Sequence, residues 1–135
     1  DFITSLENSS YNHKDKQLWE LNYAICDRKV DLIFDNGLSI MKQYGLSYLI
    51  NSMFSVIEAI FLTKKNNGTL FDNQSRSIRG NLLKRITPAT QNYSMDELEH
   101  AINIFAQIDI KLKTKKIIDE SEFANIINGV FRSER

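Results

Sequence analysis

The chain is poor in residues that interrupt helices and in residues that carry out chemistry. Its 135 residues include one proline and five glycines, so few turns and long helices are expected. The single cysteine excludes an internal disulfide and a cysteine-rich zinc site, which fits a reducing compartment. Lys and Arg number 17, as do Asp and Glu, so no overall charge attracts the chain to polyanions.

Signals for secretion and membrane insertion are also missing from the sequence. Residues 1–10 are polar and have neither the basic start nor the apolar run of a signal peptide. The most apolar stretch, residues 46–62, is interrupted by polar side chains and is short for a membrane span. We therefore interpret it as a core helix.

No arrangement of residues is typical of catalysis or of a bound cofactor. His13 and His100 lie far apart in the sequence, and the glycines form neither a phosphate-binding loop nor a dinucleotide-binding fingerprint. Cys26 lies among apolar residues and is interpreted as a small buried hydrophobe. Asp31 and Asp35 are interpreted as a solvated helix face. The sequence thus predicts no catalytic residue, no metal site, no cofactor and no enzymatic activity of its own.

Apolar periodicity predicts helices throughout and no strand. Ser94 and Glu97 have the spacing of a capping box, which predicts a helix start. We predict an all-α, single compact bundle of five or six helices over residues 15–131, preceded by a linker or tail at 1–14 and followed by a tail at 132–135. The predicted helices cover residues 15–27, 29–44, 46–65, 75–86 and 94–113, and a last helix follows residues 119–122 and carries the apolar residues between 123 and 131.

Charge is segregated along the chain although it balances overall. Segment 64–86 carries six cations against Asp72 alone, and a second basic segment follows at 111–116. Together they would form one charged face only if the fold brings them close. The cations of the two segments are Lys64, Lys65, Arg76, Arg79, Lys84 and Arg85, and then Lys111, Lys113, Lys115 and Lys116.

One aromatic residue, Phe71, lies in the loop beside the first basic segment. An exposed aromatic ring next to arginines can stack on an unpaired base while the cations hold phosphates. The alternative is a loop anchor that packs into the bundle. The candidate DNA contacts are Phe71, Arg76, Arg79, Lys84 and Arg85.

Asp109 breaks the apolar pattern of the fifth helix. It occupies a stripe position between Phe105 and Leu112, where a charge needs a partner to offset its desolvation. Lys113 follows four residues later, in the favourable order of acid before base. We predict an Asp109–Lys113 ion pair that either stabilises the helix or lies in an intersubunit contact.

The order of these segments resembles a known domain. The pieces that carry the resemblance are the Trp-containing helix at 18–25, the sequence SMDELEHA at 94–101 and the sequence IDIKLKT at 108–114. They are similar to the C-terminal collar domain of the delta subunit of bacterial DNA polymerase III, a part of the sliding-clamp loader. The resemblance covers roughly residues 15–131.

The resemblance implies a non-ATPase, subunit-assembly role in the bacterial cytoplasm during DNA replication. Collar domains join those of the gamma/tau and delta-prime type subunits in a ring, and they lie where primer-template DNA can be contacted. The sliding clamp would be reached through an N-terminal domain that these 135 residues do not encode. The alternatives are the collar of another loader subunit and an autonomous helical nucleic-acid-binding domain that uses segment 64–86.

Overall fold

A computed structural model describes residues 16–66, 81–114 and 119–132. These residues contain helices and no strand, which confirms the predicted all-α bundle. The predicted tails, apart from residue 132, lie outside the described residues. The helices are α1 (16–27), α2 (Val30–Tyr44), α3 (Leu46–Lys65), α4 (Asn81–Ala89), α5 (Met95–Lys113) and α6 (Glu120–Phe131).

Helix α3 is the centre of the bundle. It packs against α2, α4 and α5, which cover it on several sides. By length and composition alone it could cross a membrane, but a core helix has the same composition, and here its apolar side chains lie against neighbouring helices. Its buried residues are Leu49, Ile50, Met53, Val56, Ile57, Ala59, Ile60 and Thr63.

Helices α3 and α5 run antiparallel. At one end Lys64 Nζ donates a hydrogen bond to the carbonyl oxygen of Thr90 at 2.9 Å, just before α5 begins. Towards the other end Ile50 of α3 and Phe105 and Asp109 of α5 line one groove. The end of α3 therefore lies beside the start of α5.

Helix α6 is antiparallel to both α2 and α5. Arg132 lies 3.4 Å from Asp31 at one end of α2, and Phe123 stacks on Phe34 with ring centroids 5.7 Å apart further along. Because α6 contacts α5 as well, α5 lies between α3 and α6. This order decides which surfaces are available to other molecules.

Helix α4 ends later than the sequence predicts. The predicted helix 75–86 lies partly outside the described residues, and the described part continues to Ala89 with Pro88 in its last turn. A proline has a φ near the helical value, but it cannot donate to the carbonyl oxygen four residues earlier and its ring crowds that group, which fits a helix that ends one residue after Pro88. The chain then turns through Thr90 and Asn92 into α5.

The two helical glycines, Gly37 and Gly129, differ in the space that surrounds them. A Cβ on Gly37 would lie 3.0 Å from the Phe123 ring, whereas no described atom lies within 4 Å of a Cβ on Gly129. Gly37 thus lets α2 and α6 approach closely, and Gly129 serves no contact within the described chain. Gly45, the single residue between α2 and α3, has φ +96°, a value that favours glycine.

The same substitution at the two helical glycines should have different effects. We expect Gly129→Ala to raise the free energy of unfolding by about 1 kcal/mol because alanine has the higher helix propensity. Gly37→Ala should be at least about 1 kcal/mol less stable than Gly129→Ala because the Phe123 ring must move. Urea unfolding followed by circular dichroism measures both values, and equal stabilisation by the two variants would contradict the close packing at Gly37.

Candidate functional site

Arg28 joins three parts of the bundle at one end. Its Nε donates to the carbonyl oxygen of Phe131 at 2.8 Å, and its Nη1 donates to that of Asn92 at 2.5 Å. Both Nη atoms donate to the carboxylate of Glu97, with Nη1 to Oε1 at 3.0 Å. The guanidinium therefore holds the α1–α2 turn against the start of α5 and the end of α6.

The same junction is reinforced by the turn before α5. The Tyr93 hydroxyl donates to the carbonyl oxygen of Ile25 at 2.5 Å, and the Asn92 side chain donates to that of Cys26 at 2.8 Å. These bonds cap the end of α1 with groups that lie more than sixty residues away in sequence. Arg28 lies over the Tyr93 ring, 4.7 Å from its centroid.

Glu97 serves two purposes at once. Its Oε1 accepts from the backbone N–H of Ser94 at 2.9 Å, while the Ser94 hydroxyl accepts from the N–H of Glu97 at 3.0 Å. The capping box expected from the sequence is therefore present. The pairing of the same carboxylate with Arg28 is a tertiary contact that the sequence reasoning missed, because no local pattern relates residues 28 and 97.

The charges at this junction are stabilised by their partners. The hydrogen bonds from Arg28 lower the pKa of Glu97 to about 2, and the carboxylate in turn raises the pKa of Arg28. Burial raises the pKa of Tyr93 and raises that of Cys26 to about 12. The Cys26 thiol is therefore protonated at neutral pH. The contacts of Arg28, Tyr93 and Glu97 stabilise the packing of the helices at this end of the bundle.

The candidate DNA contacts are only partly described. Phe71, Arg76 and Arg79 lie outside the described residues. Lys84 is exposed, and the guanidinium of Arg85 lies 4.0 Å from the centroid of the Tyr23 ring. Arg85 also lies 3.5 Å from Asp27.

The two basic segments are separated in the fold. Lys65 and Lys84 lie at the end of the bundle where α5 begins, whereas Lys111 and Lys113 lie in the last turn of α5. The 19 residues of α5 span about 28 Å. The described members therefore do not form one continuous basic face. The acidic start of α6 also lies at the Lys111 end, with Asp119, Glu120 and Glu122.

Asp109 lies at the edge of the apolar seam rather than within it. Its side chain is 51% exposed and its Oδ2 lies 3.0 Å from Lys113 Nζ. The buried stripe of α5 passes through Phe105 and Ile108 instead, because a helical stripe advances by either three or four residues. An exposed pair of this kind contributes about 0.5 kcal/mol at most, so this ion pair is not what holds the bundle together.

The most distinctive surface is centred on the outward side of α5. Between residues 101 and 110 its four exposed side chains are all uncharged, and Ile110 is 62% exposed. Uncharged residues of α3 and α6 continue this surface on both sides. We call it the α5 face, and define it as Asn51 and Phe54 of α3, Asn103, Ala106, Gln107 and Ile110 of α5, and Asn125, Ile126 and Gly129 of α6.

A groove borders α5 on each side, and each holds about 260 Å³. The groove towards α3 is walled by Ile50, Phe54 and Phe105, with Asp109 as the one charged residue among its described lining. The groove towards α6 passes Ile126 and the bare backbone of Gly129, with Lys111 as the charged residue among its described lining. The charged residues that line the two grooves, Asp109 and Lys111, both lie near the end of α5, and the exposed side chains of α5 between residues 101 and 110 are uncharged. Depletion of charge is typical of the core of a protein–protein interface.

The described residues offer no obvious centre for chemistry. They contain no group of three or more His, Cys, Asp or Glu side chains that could hold a metal ion. His100 is exposed on α5, as the sequence indicates, and His13 lies outside the described residues. Asp31 and Asp35 are both exposed on α2.

Comparison of the chain with known protein families, curated proteins and solved structures found no match.

The junction at Arg28 gives a testable dependence on pH. Glu97→Gln should lower the free energy of unfolding at neutral pH by about 2 kcal/mol, since a guanidinium loses its charged acceptor. Because the pKa of Glu97 is lowered from 4.5 to about 2, its stabilising effect is present above pH 4.5 and is lost as the pH falls towards 2. The unchanged protein should therefore lose stability over this range more steeply than the variant.

Urea unfolding at successive pH values measures this difference. Glu20→Gln, at an exposed position of α1, is the matched control and should change stability by less than about 0.5 kcal/mol. Equal acid sensitivity of the unchanged protein and Glu97→Gln would show that the Arg28–Glu97 pair does not stabilise the fold.

Proposed function

We propose that this domain is a subunit-assembly module of the collar type, from the delta subunit of a bacterial sliding-clamp loader. The observation that carries the assembly role is the α5 face, a nearly uncharged surface that spans three helices and contains an exposed isoleucine. The sequence resemblance over residues 15–131 supports the choice of the clamp loader. Both arguments concern the same helical domain.

The α5 face has the features that a helix-packing interface needs. Apolar side chains form the walls of two parallel grooves, and small residues, Ala106 and Gly129, allow a partner backbone to approach closely. Exposed Asn103 and Gln107 can form hydrogen bonds without the desolvation cost of a charge. The surface is rigid because α5 is fixed at its start by Glu97 and along its length by α3.

In this role the domain contributes binding and no chemistry. It holds the delta subunit against collar domains of the gamma/tau and delta-prime type, in the bacterial cytoplasm. ATP hydrolysis and clamp contact belong to other domains of the loader, and the collar supports loading of the clamp onto primed DNA. The closest alternative is the collar domain of another subunit, which would use the same surface.

A second candidate function is nucleic-acid binding, and one observation favours it. Lys65, Lys84 and Arg85 lie at the same end of the bundle, on both sides of the segment that contains Phe71, Arg76 and Arg79. Clustered cations of this kind bind phosphates in a manner that weakens with salt. This surface is separate from the α5 face, so the two functions can be tested independently.

Assembly should depend on Ala106 at the middle of the α5 face. We expect Ala106→Arg to abolish co-elution of the chain with purified gamma/tau and delta-prime type loader subunits in size-exclusion chromatography, because Ala106 lines the groove towards α3 and a long charged side chain would block it. Leu32→Arg is the control, since Leu32 is another exposed large apolar residue, at 49% exposure on α2. Binding that survives Ala106→Arg but not Leu32→Arg would place the interface on α2, and no binding by the unchanged chain would contradict the assembly role.

DNA binding should depend on the other end of the bundle. If the second function holds, Lys65→Glu combined with Lys84→Glu should weaken binding to primed or single-stranded DNA by at least about tenfold and reduce its salt dependence, since two phosphate contacts are lost. Lys42→Glu, on the exposed side of α2, should have little effect. Fluorescence anisotropy over a salt series measures both quantities, and unchanged affinity in the double variant would exclude this surface.

A further inference from the structure

The two grooves beside α5 are lined by charges of opposite sign. The groove towards α3 contains a carboxylate, that of Asp109, and the groove towards α6 contains the ammonium group of Lys111. The other described lining residues of both grooves are uncharged. Because Ile50, Phe54 and Phe105 form its walls, the groove towards α3 combines an apolar surface with one negative charge.

We infer that the groove towards α3 binds an amphipathic helix of a partner loader subunit, one that carries an apolar side chain and, one helical turn away, a lysine or an arginine. This inference rests on the proposed assembly function, and it names the chemistry of the partner. The apolar side chain lies between Phe54 and Ala106, and the cation pairs with Asp109. Helices that bind in grooves are held through side chains spaced three or four residues apart.

The spacing of residues along α5 sets the spacing that the partner helix needs. Phe105 and Asp109 are four residues apart, so they are separated by about 6 Å along the helix axis. A helix that packs along α5 needs a similar separation between its apolar residue and its cation, which residues three or four positions apart provide. Ala106 leaves room for the apolar side chain because its own side chain is a single methyl group.

A partner that covers the groove also removes water from Asp109. The side chain of Asp109 is 51% exposed in the chain alone, and a carboxylate that loses its water without gaining a partner is destabilised. A cation on the bound helix offsets this cost, whereas an apolar or acidic residue at the same place does not. The carboxylate therefore discriminates against neutral and acidic partners.

The lysine that already contacts Asp109 does not line the groove. Lys113 Nζ lies 3.0 Å from Asp109 Oδ2, but the Lys113 side chain is 75% exposed and lies outside the groove lining. An exposed pair one turn apart on a helix is weak and is screened by salt, so a partner cation can replace Lys113 at little cost. Lys113 then competes with the partner for Asp109.

Substitution of the two residues should have different effects on binding. Asp109→Asn should weaken binding to purified gamma/tau or delta-prime type subunits by about tenfold, because an ion pair in a covered groove is lost, and the remaining affinity should depend less on salt. Lys113→Met should bind equally well or up to about twofold more tightly, since the partner cation no longer competes with it. Titration calorimetry over a salt series measures both the affinity and its salt dependence.

The matched control is Asp35→Asn, the same substitution at an exposed position of α2. It should leave both the affinity and its salt dependence unchanged. Circular dichroism of each variant checks that the helices are formed, which is expected because all three side chains are at least half exposed or lie on the surface.

Two results would overturn the inference. One is an unchanged affinity of Asp109→Asn, and the other is an equal loss of affinity in Asp109→Asn and Lys113→Met, since the pair would then act only within α5. If Ala106→Arg still abolished co-elution in either case, the assembly function would stand without the inference. A chain that binds no loader subunit would overturn both.

Discussion

The bidentate pair between Arg28 and Glu97 is the interaction on which the rest of the structure depends. Through it the α1–α2 turn, the turn before α5 and the last turn of α6 meet at one point. The pair is only partly exposed, with side-chain accessibilities of 16% and 24%, so its charge-assisted hydrogen bonds are protected from full solvent screening. Glu97 also caps α5, which couples the formation of that helix to the packing of its neighbours.

The hydrogen bonds between Arg28 and Glu97 explain why the outward side of α5 has a fixed position. One end of the helix is held by hydrogen bonds, and its inward side is held by Phe105 and Ile108 against the core. The outward side is therefore fixed in position without needing contacts of its own. A surface held in this way loses little conformational freedom on binding, which lowers the entropic cost of association.

The distribution of charge separates two kinds of surface. Basic residues of α3 and α4 lie at the end where α5 begins, together with the exposed carboxylates of Asp27, Asp96 and Glu99, while the lysines at the end of α5 lie near the acidic start of α6. The described residues thus include a group of exposed cations at one end, an outward side of α5 with few charges, and two helices with opposite charges at their ends. The uncharged face supports the proposed assembly role, and the basic region supports the alternative of nucleic-acid binding.

The sequence by itself determined the all-α class, the bounds of α3, the capping box at Ser94 and the buried state of Cys26, because periodicity, caps and turns are local properties. The sequence predicted Asp109 within the buried stripe of α5, but it lies at the edge of that stripe. A buried stripe can advance through residue 108 or through residue 109, and only the packing against α3 decides between them. Tertiary structure alone decided the Arg28–Glu97 pair, the separation of the two basic segments and the exposure of the α5 face. Each of these depends on which helices lie side by side, and that order follows from the burial of the whole apolar surface at once rather than from any local pattern.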